Sequence, residues 1–444
     1  MADIRPFRGV RYDPATAGDL SRVVSAPYDI ISPEAQADYY ARSPYNVIAL
    51  ELGSQRSVDD ASDNRYTRAA ATYREWQTAG VVKADPEPAF YLYEEAFEDH
   101  GQPLVRRSLI APIRVTDWSA RIVLPHEFTL PGPKVDRLSL LNAAHAQFSP
   151  LLGMYDDPGV IAPLLSEVAA GPPDLSFDLA PGSVSAAARQ HRLWRATEPR
   201  RVERLVDAFR DRPIYIADGH HRYETALVYR DQQRQLGATA DSPSEFALMA
   251  LVETGDPGML IRPTHRLLHG LGNLDPEVIL RRLAERFEID RIPAPELQPE
   301  SPTDERMTAG PARPSFTILG LQAGWAYRIR LRPSVDLARE LADVPAVLRT
   351  LDTVVLQHLI LDQVLGLSPR DVEHGERVQY TRDPTEASRA FVEGRAQLVV
   401  FLAPTPMDQI RAAASAGERM PQKSTYFYPK PVTGTVFYDH EVAF

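Results

Sequence analysis

The chain has 444 residues, no Cys, 25% charged residues and a formal net charge of −11. That length exceeds one ordinary core and implies two or three domains of a soluble globular protein. The lack of Cys excludes disulfides, thiolate catalysis and Cys-type zinc sites, and the acidic balance argues against nucleic acid held through many phosphate contacts, though not against a small basic pocket. No apolar run is long enough to span a membrane, and MADIRPFRGV lacks the pattern of a signal peptide. A cytoplasmic protein without a membrane partner is expected.

Residues 4–31 read as short extended pieces with turns. Ser32 before Pro33 signals the N-cap of a short helix over 32–41. Tyr66, Ala69, Tyr73 and Trp76 repeat at helical spacing within 60–80, and Gly80 is a suitable stop. Residues 89–94 and 104–115 predict two strands of a hairpin turning at Glu98-Asp99-His100-Gly101. In PHEFTLPGPKVDR, Pro and Gly predict a loop, followed by a helix over 138–146. Helices are expected at 201–210, 221–236, 276–287, 344–365 and 407–416. Strands are expected at 213–217, 246–252 and 398–402, with a hairpin at 316–321 and 326–331. The Pro-rich polar stretch 292–315 reads as a linker. The mixed order predicts an α/β protein without repeats.

The segment IYIADGHHRYETA, Ile214–Ala226, carries the strongest chemical signal. A short apolar strand ends at Asp218, Gly219 permits a sharp turn and close approach of another group, and a helix follows. The first N–H groups of a helix lack internal partners and bear partial positive charge, so the turn invites an anion. His220, His221 and Arg222 fan out at that same helix start, and Arg offers a forked donor set suited to phosphate oxygens. Asp218 has two readings, a helix cap or a ligand for a metal ion accompanying phosphates. A rival reading makes His220 and Glu224, at i and i+4, the ligands of a metal-dependent hydrolase. Signatures of P-loop, dinucleotide-binding, kinase and serine-hydrolase sites are absent.

IADGHHRYETAL resembles the hallmark of a bacterial family of uncharacterised proteins, formerly labelled a domain of unknown function, with a central DGHHR. IRPFRGVRY, APYDII, LPHEFTLPGPKVDRLSLL, SPLLGMYDD, RPTHR, LDTVVLQHLIL and MPQKSTYFYPKPVTG resemble its other blocks, in order, from about Ile4 to Val436. The DGHHR element is also similar to that of the ParB/sulfiredoxin-like fold, which includes archaeal free serine kinases. The resemblance implies that Asp218, Gly219, His220, His221 and Arg222 cradle phosphates. It further implies a kinase that uses ATP or ADP to make O-phospho-L-serine. His145 stands where the family's second block leads us to expect Arg.

Phosphoryl transfer needs cations on the phosphates, a group that orients or deprotonates the acceptor, and usually Mg²⁺. On this reading Asp218 and His220 join Glu127 as catalytic candidates. Glu127 orients the acceptor, and Asp218 holds Mg²⁺. Arg266, Lys423, Ser424 and Thr425 are further phosphate-binding candidates, and Tyr28, Asp29 and His126 are substrate-binding candidates. A ParB/sulfiredoxin-like catalytic part with insertions is expected over 1–270, and a C-terminal α/β part completing the cleft over 271–444. The expected partners are a nucleotide and a small hydroxy compound, and a homodimer is compatible. A nucleotide-binding switch without catalysis, like ParB proteins, is the second reading.

Overall fold

The computed structural model describes residues 1–129, 131–179, 189–294, 313–368, 371–372 and 377–444. They form a mixed α/β protein with two compact units. The first comprises Met1–Pro125, Thr129–Leu260 and Pro429–Phe444, and the second His126–Phe128 and Ile261–Tyr428. Among the described residues no helix is long and apolar enough to cross a membrane.

The first unit is built on an eight-stranded sheet. Its strands β1 (Phe90–Asp99) and β2 (Gln102–Arg114) are the expected hairpin, with Asp99 opposite Gln102. His100 and Gly101 make the turn with φ of 47° and 76°, the left-handed backbone that a two-residue hairpin requires. The remaining strands are β3 (Val123–Leu124), β4 (Leu151–Tyr155), β5 (Leu175–Asp178), β6 (Gln190–Ala196), β7 (Ile214–Asp218) and β8 (Phe246–Glu253). Their order is β3-β7-β4-β8-β2-β1-β6-β5. The sheet is mixed: β7 runs parallel to β3 and antiparallel to β4, and β8 runs parallel to β4 and antiparallel to β2. Strands β4, β7 and β8 are near-continuous apolar runs because their residues are buried on both faces.

Five helices of this unit are α1 (Arg65–Thr78), α2 (Pro131–Ala144), α3 (Ile161–Ala169), α4 (Pro199–Arg210) and α5 (His220–Gln235). The helix expected from residue 60 begins later, because Asn64 caps it. The Asn64 side chain accepts from the N–H groups of Tyr66 and Thr67, and the Thr67 hydroxyl accepts from the Asn64 N–H. The start of α2 corrects the expected loop: the helix begins at Pro131, not near Leu138. Pro131 and Pro133 fall in its first turn, where the N–H has no intrahelical acceptor, so Pro forfeits nothing there.

The chain's last residues return to this unit. Tyr438–Asp439 pairs with Ala146–Gln147, and Asp439 Oδ2 accepts from Tyr73 Oη at 2.9 Å and Gln77 Nε2 at 2.8 Å. The Phe437 ring meets the Phe148 ring edge-on at 5.4 Å. These contacts bury a tail whose Pro-rich sequence has no regular periodicity of its own.

The second unit has a six-stranded antiparallel sheet. Its strands are β9 (His265–Leu268), β10 (Phe287–Pro293), β11 (Ser315–Gln322), β12 (Trp325–Leu331), β13 (Val378–Thr381) and β14 (Leu398–Leu402), in the order β10-β12-β11-β14-β9-β13. The expected hairpin is β11–β12. Most of the expected linker, 295–312, lies outside the described residues. The helix expected over 276–287 ends at Ala284, and Phe287 instead opens β10. The helix expected over 344–365 is broken into a 3-10 turn (Ala346–Leu348), a short α-helix (Asp352–Val355) and a π-helix (Leu356–Asp362). Leu356, Leu359, Ile360 and Leu361 of the π-helix are all buried, so this stretch is covered on more than one face.

Two expectations for stability follow. A Cβ added to Gly153 in β4 would overlap Met249 Sδ and lie 3.0 Å from Ile214 Cγ2. Gly153→Ala should therefore lower the urea midpoint by the equivalent of about 1–3 kcal/mol. The loss should shrink when it is made in a Met249→Ala background, which opens space; equal losses in both backgrounds would contradict this packing account. In the second unit, burial lifts the Asp352 carboxyl from 3.8 to about 7. A group whose folded pKa is raised contributes stability in full below its unfolded value and loses that contribution as pH rises through the folded one. Wild-type stability should thus fall between pH 3.8 and about 7 more steeply than that of Asp352→Asn, as read by thermal unfolding across pH. Parallel curves would remove Asp352 from the account.

Candidate functional site

Strand β7 delivers the DGHHR segment. Ile214 and Ile216 are fully buried and anchor the strand in the sheet. Ile216 lies opposite Gly153, but Asp218 lies opposite Leu152, so the register slips at the strand's end. Such a bulge re-aims the side chain that follows it. Gly219 then takes φ 94°, a left-handed conformation, and α5 starts at His220 with no side-chain cap. The first amides of a helix bear partial positive charge, which favours an anion at this turn.

Around this turn, one carboxylate is held between two cations. Arg222 Nη2 donates to Asp218 Oδ2 at 2.9 Å, while Lys430 Nζ pairs with Asp218 Oδ1. Arg222 is fixed from its other side: Nη1 donates to Pro150 O at 2.7 Å and Ser149 Oγ at 3.2 Å. Lys430 is buried and stands in the returning C-terminal segment. Arg106 braces that segment. It is fully buried, donates from Nε to Glu95 Oε2 at 2.9 Å, and donates from Nη1 to Pro429 O. The neighbour of Lys430 in sequence is thus tied to the central hairpin.

A second basic group adjoins the first. Arg137 Nη1 donates to Glu51 Oε1 at 3.2 Å, and Ser149 Oγ donates to the same oxygen at 2.8 Å. The Arg137 guanidinium sits 4.0 Å from the centre of the Tyr28 ring, a cation–π contact. Burial pushes the Tyr28 phenol upward despite the nearby Arg222 and Arg137 charges. Burial works against the Arg137 charge, yet Glu51 and Asp136 outweigh it and raise its pKa. A cavity of about 50 Å³ opens among Glu51, Arg137, Gln147, Ser149, Arg222 and Thr225. Asp29 is exposed in the turn beside Tyr28, His220 is buried, and His221 is half-buried.

The first unit therefore gathers Asp218, Gly219, His220, His221, Arg222 and Tyr28. Reading of the sequence missed Lys430, although it lies in the quoted block MPQKSTYFYPKPVTG. The expected phosphate ligand of that block, Lys423, belongs to the second unit. A Lys between two Pro in apolar surroundings was the available signal, because such a cation must find a partner when buried. Glu51 and Ser149 were missed without any motif to announce them. His145 has φ 49°, and its Nδ1 lies 2.9 Å from Tyr229 Oη. Nearby, burial pulls His440 down to about 3, so this corner holds a neutral imidazole.

The other candidates belong to the second unit. Glu127 Oε1 accepts from the Lys423 N–H at 2.7 Å, which holds Lys423 at φ 59° with its side chain exposed. His126 is fully buried, with Nε2 at 3.0 Å from Thr425 Oγ1. The Ser424 hydroxyl donates to Pro421 O at 2.6 Å and lies 3.0 Å from Thr353 Oγ1. Arg266 is buried in β9 and donates to Thr264 O.

The kinase resemblance implies a magnesium ion. Among the described residues no group of three or more His, Asp or Glu is arranged to hold a metal. The two Asp218 oxygens face Arg222 and Lys430, while Glu224 Oε2 accepts from Lys134 Nζ at 2.7 Å and Thr129 Oγ1 at 2.6 Å. These residues do not fit a metal held by the protein alone, either at Asp218 or at the His220–Glu224 pair.

Among solved structures the chain is similar to a free serine kinase variant in complex with AMP, at 12% identity and TM-score 0.35, covering 76% of this chain and 93% of that one. It is similar to a conserved hypothetical protein from Pyrococcus furiosus, at 13% identity and TM-score 0.34, covering 75% and 96%. It is also similar to SbnI with a C-terminal truncation from Staphylococcus aureus, at 13% identity and TM-score 0.34, covering 73% and 85%. Similarity at this level fixes neither substrate nor reaction. No curated protein matches the chain. Residues 4–354 match the family described as protein of unknown function, DUF1015. That match spans most of the sequence, and the chain belongs to the DUF1015 family.

Proposed function

We propose that this protein is a phosphotransferase that binds a nucleoside di- or triphosphate at the Asp218–Arg222 turn. It transfers the terminal phosphoryl group to the hydroxyl of a small hydroxy amino acid. Free L-serine is the acceptor that the sequence resemblance implies. The observation that carries the reading is the charge arrangement at the turn: Arg222 and Lys430 flank one carboxylate beside an uncapped helix start.

The chemistry of these groups suits phosphates. The α5 amides offer donors with partial positive charge to phosphate oxygens. Arg222 offers a forked, permanently charged donor, and Lys430 a compact one. Asp218 is assigned as a positioning residue that holds both cations in one geometry before the anion arrives. Two cations brought together without it would repel each other and splay. Preorganised charge of this kind is how phosphoryl transfer is accelerated, because the protein has little covalent chemistry to perform. In the step itself the bond from the terminal phosphorus to its bridging oxygen breaks and a bond to the acceptor oxygen forms. ADP or AMP leaves, and the hydroxyl proton passes to a base. Glu127 is the candidate for that base.

The test is incubation of the full chain with ATP or ADP and L-serine in magnesium buffer, followed by phosphorus NMR for O-phosphoserine. Product formation is expected. Tight nucleotide binding without turnover over a panel of small alcohols would instead support a nucleotide-binding switch and overturn the kinase reading. Glu127→Gln should preserve donor affinity, since the amide oxygen can still accept from the Lys423 N–H, and should lower kcat by about 10²-fold or more. Full turnover in that variant would remove Glu127 from the reaction.

A further inference from the structure

The second unit contains a cavity of about 360 Å³ beside Arg266. Its volume falls in the range of pockets that take small organic ligands. Leu348, Val354 and Leu361 give it an aliphatic wall, and Phe128 and Tyr380 add aromatic surface. The π-helix Leu356–Asp362 supplies one side, and the widened turns of such helices often mark binding sites.

Arg266 lines this apolar space and is only 5% exposed. Its guanidinium lies 5.1 Å from the centre of the Tyr380 ring and donates from Nη1 to Thr264 O. Among the described residues no carboxylate forms an ion pair with it. A guanidinium buried in this way is costly unless an anion joins it. Consistent with that cost, burial pulls its pKa down to about 10, and the Tyr380 and Glu127 charges recover only part of the loss. A second donor stands in the same wall: Gln357 Nε2 is buried and meets no acceptor among the described residues. A buried guanidinium without a carboxylate partner and an amide without an acceptor thus line a cavity whose remaining surface is largely apolar.

We infer that this cavity is a binding site for a small organic carboxylate with an apolar or aromatic body, its carboxylate held by Arg266 and Gln357. One buried guanidinium fork matches one carboxylate in a bidentate pair. A phosphate dianion would bring a second negative charge. Arg419 also lines the cavity, but the Glu127 charge reaches Arg266 and opposes a second negative charge. The aliphatic wall and the two rings then take the ligand's body. The inference does not rest on the kinase reading.

Calorimetric titration of the full chain with 4-phenylbutyrate and hexanoate tests it, with 4-phenylbutanamide, hexanamide and phenyl phosphate as comparisons. The acids should bind at least about tenfold more tightly than their amides, the difference expected for a charge-assisted pair. Arg266→Gln should abolish that preference. Leu348→Trp, which fills the cavity and leaves Arg266 in place, should abolish binding of the acids while keeping a cooperative thermal transition. If Arg266→Gln does not fold, the comparison of acid with amide on wild type and the Leu348→Trp result decide. No binding by either acid, equal binding of acid and amide, or undiminished binding in Leu348→Trp would overturn the inference. Tighter binding of phenyl phosphate than of 4-phenylbutyrate would overturn the assignment to carboxylates.

Discussion

The Asp218 carboxylate, shared between Arg222 and Lys430, is the interaction on which the proposed phosphate site depends. It joins residues far apart in sequence and collects positive charge beside an open helix start. A buried cation pair without a carboxylate would be expelled by self-repulsion and desolvation. A buried carboxylate with one cation would leave no surplus charge for a ligand. One acid between two bases keeps the folded state tolerable and leaves the cluster attractive to an anion.

Several layers of structure serve that arrangement. The apolar run of β7 sets the depth of Asp218 in the sheet, and the bulge after Ile216 sets its direction. Gly219 supplies the left-handed turn that starts α5 one residue later. From the opposite end of the chain, Asp439, Phe437 and the Arg106 contact to Pro429 fasten the segment that carries Lys430. The tail therefore acts as part of the site's scaffold, which explains why its Pro-rich sequence is buried and not splayed into solvent.

Local signals in the sequence were readable where one residue decides the outcome. Ser32 does cap its helix, with Oγ accepting from the Ala35 N–H at 3.2 Å, and the β1–β2 and β11–β12 hairpins follow from apolar runs around short turns. The strand–Gly–helix form of DGHHR was legible for the same reason. Features set by tertiary context were not. Strand β6 pairs with β1 and β5 with β6 without a clean alternation of apolar and polar residues, and the π-helix arises where an apolar stretch is buried on more than one face. The start of α2 departs from the expected loop because Pro and Gly usually signal a loop, whereas Pro is harmless in a first turn. Glu51 and Ser149 acquire meaning only through partners distant in sequence, so periodicity and spacing carry no trace of them, and Lys430 shows only as a Lys between two Pro.

The direct test of the central claim is equilibrium binding of ADP to the wild type and to Lys430→Met, measured by calorimetry. The Met side chain keeps the length and removes the charge, while Asp218 retains Arg222. Loss of one charge-assisted contact to phosphate should weaken ADP binding by at least about tenfold, with folding intact by circular dichroism. Unchanged affinity in the folded variant would contradict the account, because the phosphates would then not meet the cation that the buried tail brings to Asp218.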